Sequence, residues 1–223
     1  MRDFAKFLVM IILLASIPGE MQAYSQHSFP AESGKNQGQK DPSADTEEIV
    51  LVKNTVMRIF AGFYSVQDDR FKMIYEGQGC IYGFGASQKI FSSHKHYLSL
   101  SLDFKFFSKK GESTVTKEAT KLILKPISMG VVYMFVTKPI IPCAEIGWDY
   151  LPYKEKSLVH STSGNAWGFH LQGGILIPVK VLKFTKIKLY LRYSSARTEE
   201  NNLRVNLGGV EYGLGIVYGF NLF

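Results

Sequence analysis

The sequence predicts an all-β fold, eight antiparallel strands closed into an up-and-down barrel, and three observations carry that prediction. From Ile49 onward, apolar and polar residues alternate with a period of two in segment after segment, as half-buried strands require. The composition is interleaved rather than blocked: 16 Phe, 12 Tyr and 20 Gly among 223 residues, 20% charged side chains and a mean hydropathy near zero. The connections alternate too, long and polar on one side, short on the other.

Residues 1–23 read as a cleaved signal peptide. Arg2 and Lys6 precede the apolar run from Phe7 to Leu14, which continues to Ile17 and stops at Pro18, Gly19 and Glu20. A spanning helix needs roughly 20 apolar residues, so this run is too short. Cleavage falls after Ala23, with Gly19 as the alternative. Residues 24–48 are rich in Ser, Gln, Gly, Lys, Pro and Asp and bury too little apolar surface to fold alone, so they read as a flexible linker. The barrel domain is then 49–223.

The strands fall near 54–65, 77–88, 96–108, 121–136, 139–152, 165–177, 185–195 and 207–221. The clearest is Leu98-Ser99-Leu100-Ser101-Leu102-Asp103-Phe104-Lys105-Phe106, with one apolar and one polar face. Ile187 to Tyr193 repeats the pattern, as does Trp167 to Gln172, where Gly168, His170 and Gln172 take the second face. Segments 66–76, 109–120, 153–164 and 196–206 are the long polar connections, and those near 89–95, 137–138 and 178–184 are the short ones.

Alternation alone leaves two orientations open. A soluble periplasmic barrel binding a lipophile has its apolar face inside; a transmembrane barrel has it outside. Three features favour the membrane arrangement. The polar face carries Arg58, Lys105, Lys188 and Arg192 with Asp103, Glu145, Asp149 and Glu211, four charges of each sign that pair in a narrow lumen. The apolar face carries Trp148, Tyr150, Trp167, Tyr193, Tyr212 and Tyr218 near strand ends, as an aromatic girdle requires. The last strand is aromatic-rich, with Tyr212, Leu214, Ile216, Tyr218 and Phe220 on one face and Gly213, Gly215 and Gly219 thinning the other.

Ala61-Gly62, Tyr82-Gly83-Phe84-Gly85, Pro126-Ile127 leading to Tyr133-Met134-Phe135, the stretch Pro142 to Tyr150, Gly208 to Tyr212 and Val217 to Phe220 occur in an order and spacing that resembles the outer membrane protein beta-barrel domain family. That group includes opacity-type porins and the transmembrane part of outer membrane protein A, and the resemblance runs over about 54–223. It implies a Gram-negative outer membrane location and a terminal aromatic read by the barrel-assembly machinery. Tyr212, Leu214, Ile216, Tyr218, Phe220 and Phe223 are the candidate insertion signal; the alternation fits best with Phe220 in the terminal role.

The remaining chemistry is sparse. Cys80 and Cys143 fall toward opposite barrel ends, too far apart for a disulfide. His94 and His96 lie on a short turn without a further ligand cluster. Lipid-A deacylases of similar fold carry a His and a Ser two residues apart, whereas His160 directly precedes Ser161 here, so no catalytic residue, metal or cofactor is assigned. Eight strands leave an interior that side chains just fill, which disfavours a pore. The net charge is +7, with clusters at Lys109-Lys110, at Lys154 and Lys156, and at Lys180, Lys183 and Lys186 that suit lipopolysaccharide or phospholipid headgroups. Nothing suggests nucleic-acid binding. The expected role is a non-enzymatic structural or surface-interaction barrel, its partners outer-membrane lipids and an extracellular surface ligand. A small channel or lipid-A-type enzyme, and a soluble lipophile-binding barrel, are the alternatives.

Overall fold

The computed structural model describes residues 53–75, 77–113, 117–137, 139–157, 161–179, 181–182, 184–200 and 203–221. The expected signal peptide and linker lie outside the described residues, as do Phe223, His160, Lys180 and Lys183. The described chain forms strands β1 (Thr55–Val66), β2 (Gln78–Ser93), β3 (His96–Glu112), β4 (Ala119–Leu124), β5 (Ile127–Phe135), β6 (Ile141–Lys156), β7 (Ser161–Pro178), β8 (Thr185–Glu200), β9 (Leu203–Asn206) and β10 (Gly209–Phe220), with one helix, α1 (Asp69–Tyr75).

These ten segments make eight staves, because β4 with β5 and β9 with β10 are each one stave broken in the middle. β4 and β5 both pair with β3 and β6, and β8 pairs with both β9 and β10. The first break falls at Lys125-Pro126, where Pro126 has no N–H to give the ladder. Hydrogen bonding nonetheless continues across it: Lys125 N donates to Pro152 O (3.0 Å) and Pro126 O accepts from Lys105 N (2.8 Å). At the second break the Asn206 side-chain oxygen accepts from Ala196 N (3.2 Å) and Gly208 N (3.0 Å). Every pairing is antiparallel, and β10 closes the ring by pairing with β1 over Thr55↔Phe220 to Val66↔Gly209.

The two orientations are now distinguishable. Ser99, Ser101 and Asp103 are each 3% exposed, whereas Leu100 between them is 41% exposed, so Leu98, Leu100 and Leu102 point outward. Met57, Ile59, Tyr82, Phe84, Ile146, Phe169, Leu171, Leu191 and Ile216 are exposed on the same outer face. This is the membrane arrangement.

Three sequence expectations change. The segment 66–76 contains α1, which carries too few residues to show a helical period. The connections expected over 153–164 and 196–206 are largely strand, because β6/β7 pair out to Lys156↔Ser161 and β8/β9 to Glu200↔Leu203. Polar arms still alternate, and main-chain pairing does not need an apolar face above the membrane. On β6 and β7 the aromatic girdle therefore sits inside the strands rather than at their ends, with Tyr150 packed on Trp167 at 4.6 Å and β6 continuing to Lys156 beyond it, whereas Tyr212 and Tyr218 lie near the ends of β10 as expected.

Candidate functional site

Inward-facing positions stack into three layers. At the loop end, Tyr64, Val66, Tyr75, Ile81, Phe107, Leu122, Leu124, Leu151, Tyr153, Ala166, Ala196 and Leu207 form one buried apolar cluster, with Phe71 and Ile74 of α1 packed on it. Tyr64 donates to Leu207 O (2.6 Å) and Tyr75 to Glu155 Oε1 (2.6 Å), so the phenols of Tyr64 and Tyr75 are satisfied inside this plug. Burial and the facing Glu155 carboxylate push the Tyr75 phenol above its ordinary range, which keeps it a donor. At the short-turn end Val132, Met134, Ile141, Leu176 and Val217 form a second cluster with Val56, Tyr97, Val136 and Cys143.

Between the two plugs lie all eight charged residues singled out from the sequence: Arg58, Asp103, Lys105, Glu145, Asp149, Lys188, Arg192 and Glu211 are buried. Arg58 Nε donates to Asp103 Oδ1 (2.7 Å) and its Nη2 lies 3.6 Å from Glu145 Oε1. Lys105 Nζ donates to Glu211 Oε2 (2.6 Å), whose other oxygen accepts from Tyr190 (2.8 Å). Arg192 donates to Asp149 and to Ser128 Oγ (2.8 Å), with its Nε 4.0 Å from Glu211. Lys188 Nζ stands 3.8 Å from Glu145. These contacts form two groups, one of Arg58, Asp103, Glu145 and Lys188 and one of Lys105, Glu211, Arg192 and Asp149, which His170 joins into one network.

Several members were not singled out from the sequence. His170 is fully buried, with Nδ1 2.9 Å from Asp149 and Nε2 3.7 Å from Glu145, so it bridges the two carboxylates. Ser101 and Gln172 donate to Glu145 at 2.6 and 3.0 Å. Lys186, grouped above with the surface lysines, is instead buried beside the lower plug, where Val56, Val132, Met134 and Lys188 line the same space. The inward parity of β7 and β8 was the available signal for His170, Gln172, Lys186 and Tyr190. The expected match of four charges by four therefore becomes five cations, four carboxylates and an imidazole.

Glycine makes one of these pairs possible. Arg58 on β1 and Asp103 on β3 are separated by β2, where Gly85 stands opposite both. A Cβ on Gly85 would overlap the Asp103 carboxylate, so the missing side chain is the gap through which Asp103 reaches Arg58.

Two spaces between inward-facing side chains measure about 10 Å³ beside Arg58, Asp103, Lys105 and Gln172 and about 40 Å³ beside Val132, Met134 and Lys186. A water needs on the order of 10–15 Å³, so these spaces admit isolated waters and no continuous column. An unpaired charge here is costly, and each of the eight charged residues named from the sequence has an oppositely charged partner within 4.0 Å, whereas buried Lys186 has none among the described residues.

On the outside, Tyr212, Leu214, Ile216 and Tyr218 are exposed along β10, and Phe220, half-buried, stacks on Tyr218 at 6.3 Å where the strand ends. Cys80 is exposed outward and opposite Phe63, whereas Cys143 faces inward and opposite Met134; both are free. His94 occupies a turn position at φ 50°, and His96 Nδ1 meets the Tyr133 hydroxyl at 2.6 Å.

No protein-family model and no curated protein sequence matches the chain. Among solved structures it is similar to Neisserial surface protein A, with a TM-score of 0.55 and 13% identity over 76% of this chain and 99% of that one. It is likewise similar to the outer membrane protein OprG from Pseudomonas aeruginosa, with a TM-score of 0.50 and 13% identity over 78% of this chain and 100% of that one. At such identity the likeness is one of fold. With its apolar face outward and its charges paired within, the chain is an outer-membrane protein with the fold of the eight-stranded outer-membrane β-barrels.

Proposed function

We propose that this barrel is a non-enzymatic structural or surface-interaction protein whose work is done by the β-arms above the membrane, in adhesion or host contact, rather than by its lumen. The observation that carries this reading is the layered interior: among the described residues a charge network capped at both ends by apolar plugs fills the lumen. The arms are the accessible part. β6 and β7 stay paired from Tyr150↔Trp167 to Lys156↔Ser161, and β8 and β9 add a second hairpin beside them. A solved structure of similar fold is named a surface protein, which is in keeping with such a role. Barrel-assembly machinery acting on the β10 aromatic face, and the surrounding outer-membrane lipids, complete the proposed partners.

The test compares cells carrying the intact chain with cells whose β6/β7 arm beyond Leu151 is replaced by a tight turn. Heat-modifiable migration on a denaturing gel reports whether the barrel is intact. Loss of adhesion to epithelial cells with an intact barrel is the expected result. Adhesion equal to that of the intact chain contradicts a role for this arm.

A further inference from the structure

The outer face of β3, β4 and β6 carries a feature that the network and the plugs do not explain. Lys110 stands directly opposite Lys121, and Lys121 directly opposite Lys156, so three ammonium groups occupy one row across three adjacent strands. All three are exposed. Directly opposed like charges destabilise a sheet, because their Cβ atoms are only about 5 Å apart. Lys154, opposite Ile123, and Lys125, just past the end of β4, lie on the same exposed flank. Among the described residues none of these five lysines is in an ion pair. The nearby carboxylates are otherwise placed: Glu155 turns inward to Tyr75, and Glu112 lies one row further out, opposite Ala119.

The height of the lysines identifies the counter-charge. Phe104, Ile127, Tyr150 and Trp167 are successive partners in one row, the aromatic level of this flank. Lys125 is two residues from Ile127, and Lys154 and Lys156 are four and six residues from Tyr150. With about 3.3 Å per residue and a tilt near 40°, the lysines stand roughly 5, 10 and 15 Å above the aromatic level. A flat phospholipid headgroup meets only the lowest. A lipid whose phosphates continue upward onto its first sugars meets all three.

We infer that the Lys110–Lys121–Lys156 row, with Lys154 and Lys125 beneath it, is a binding site for a phosphorylated glycolipid of the outer leaflet, the upper row taking the phosphates on its inner sugars. This rests on the outer-membrane placement and extends the proposed lipid partnership to named residues.

The experiment uses the full chain folded into phosphatidylcholine nanodiscs and titrated with fluorescent lipopolysaccharide bearing a phosphorylated inner core. The chain is compared with K110Q/K121Q/K156Q, whose substitutions are exposed and relieve repulsion. At about fivefold per lysine near an anionic surface, the variant is expected to bind on the order of a hundredfold more weakly. Its affinity for phosphorylated lipid A without the core sugars is expected to stay near that of the parent chain, because Lys125 and Lys154 remain. Equal affinity of parent and variant for the full lipid overturns the site. So does undiminished binding of the dephosphorylated lipid, or equal competition by inorganic phosphate, phosphatidylglycerol vesicles or an acidic peptide. A chain that gives no heat-modifiable species in any lipid instead overturns the barrel placement on which the site rests.

Discussion

Gly85 shows how a single missing side chain governs the network, since Asp103 can reach Arg58 across β2 only because nothing projects inward there. Gly85→Ala is expected to displace the carboxylate and leave Arg58 buried without its short hydrogen bond, at a cost of about 3–5 kcal/mol. Urea titration of the chain in vesicles, followed by loss of heat-modifiable migration, checks this. Arg58→Met or Asp103→Leu alone is expected to cost a similar amount, because the first strands the Asp103 carboxylate and the second leaves Arg58 buried without its short hydrogen bond. The double variant is expected to recover most of the loss, giving a coupling energy of at least about 1 kcal/mol in the cycle; additive losses would mean that the two groups are not coupled.

The strands were legible wherever alternation was strict, and β3, with Leu98 to Phe106 switching face at each residue, is the clearest case. Their ends were not, because arms such as Lys154-Glu155-Lys156 still alternate in exposure while reading as polar loop in composition. Helix α1 was invisible for another reason: seven residues make too few turns to show a period, and its place is set by Phe71, Ile74 and Tyr75 packing on the upper plug. The Tyr75 hydrogen bond to Glu155 is the polar tie between this helix and β6. Tyr75→Phe is therefore expected to raise amide hydrogen exchange across residues 69–75 by roughly tenfold, in line with the loss of one hydrogen bond to a charged group, while exchange in β1 and β10 is unchanged. Exchange rising throughout the barrel would show that α1 is part of the global fold rather than a locally docked cap.

At the scale of the molecule, composition announced the paired charges but not their confinement to a middle layer. Tyr64, Leu122 and Met134 share the inward parity of the charged residues, yet an interior read as simply polar conceals the plugs they help to build. Those plugs separate a closed barrel from a channel. Planar-bilayer recordings of the intact chain are expected to show no stable unitary openings; openings that vanish on replacing Arg192 or Asp103 would place conduction in the lumen. All of this depends on the apolar face being turned to lipid, and the chain carries its own reporters of that, since its 2 tryptophans, Trp148 and Trp167, are 67% and 68% exposed on the outer face. Their fluorescence should be strongly quenched when the folded chain is inserted into bilayers of brominated phosphatidylcholine and little affected by aqueous iodide. Emission that brominated lipid leaves unchanged in the folded state would mean that this face does not meet the membrane.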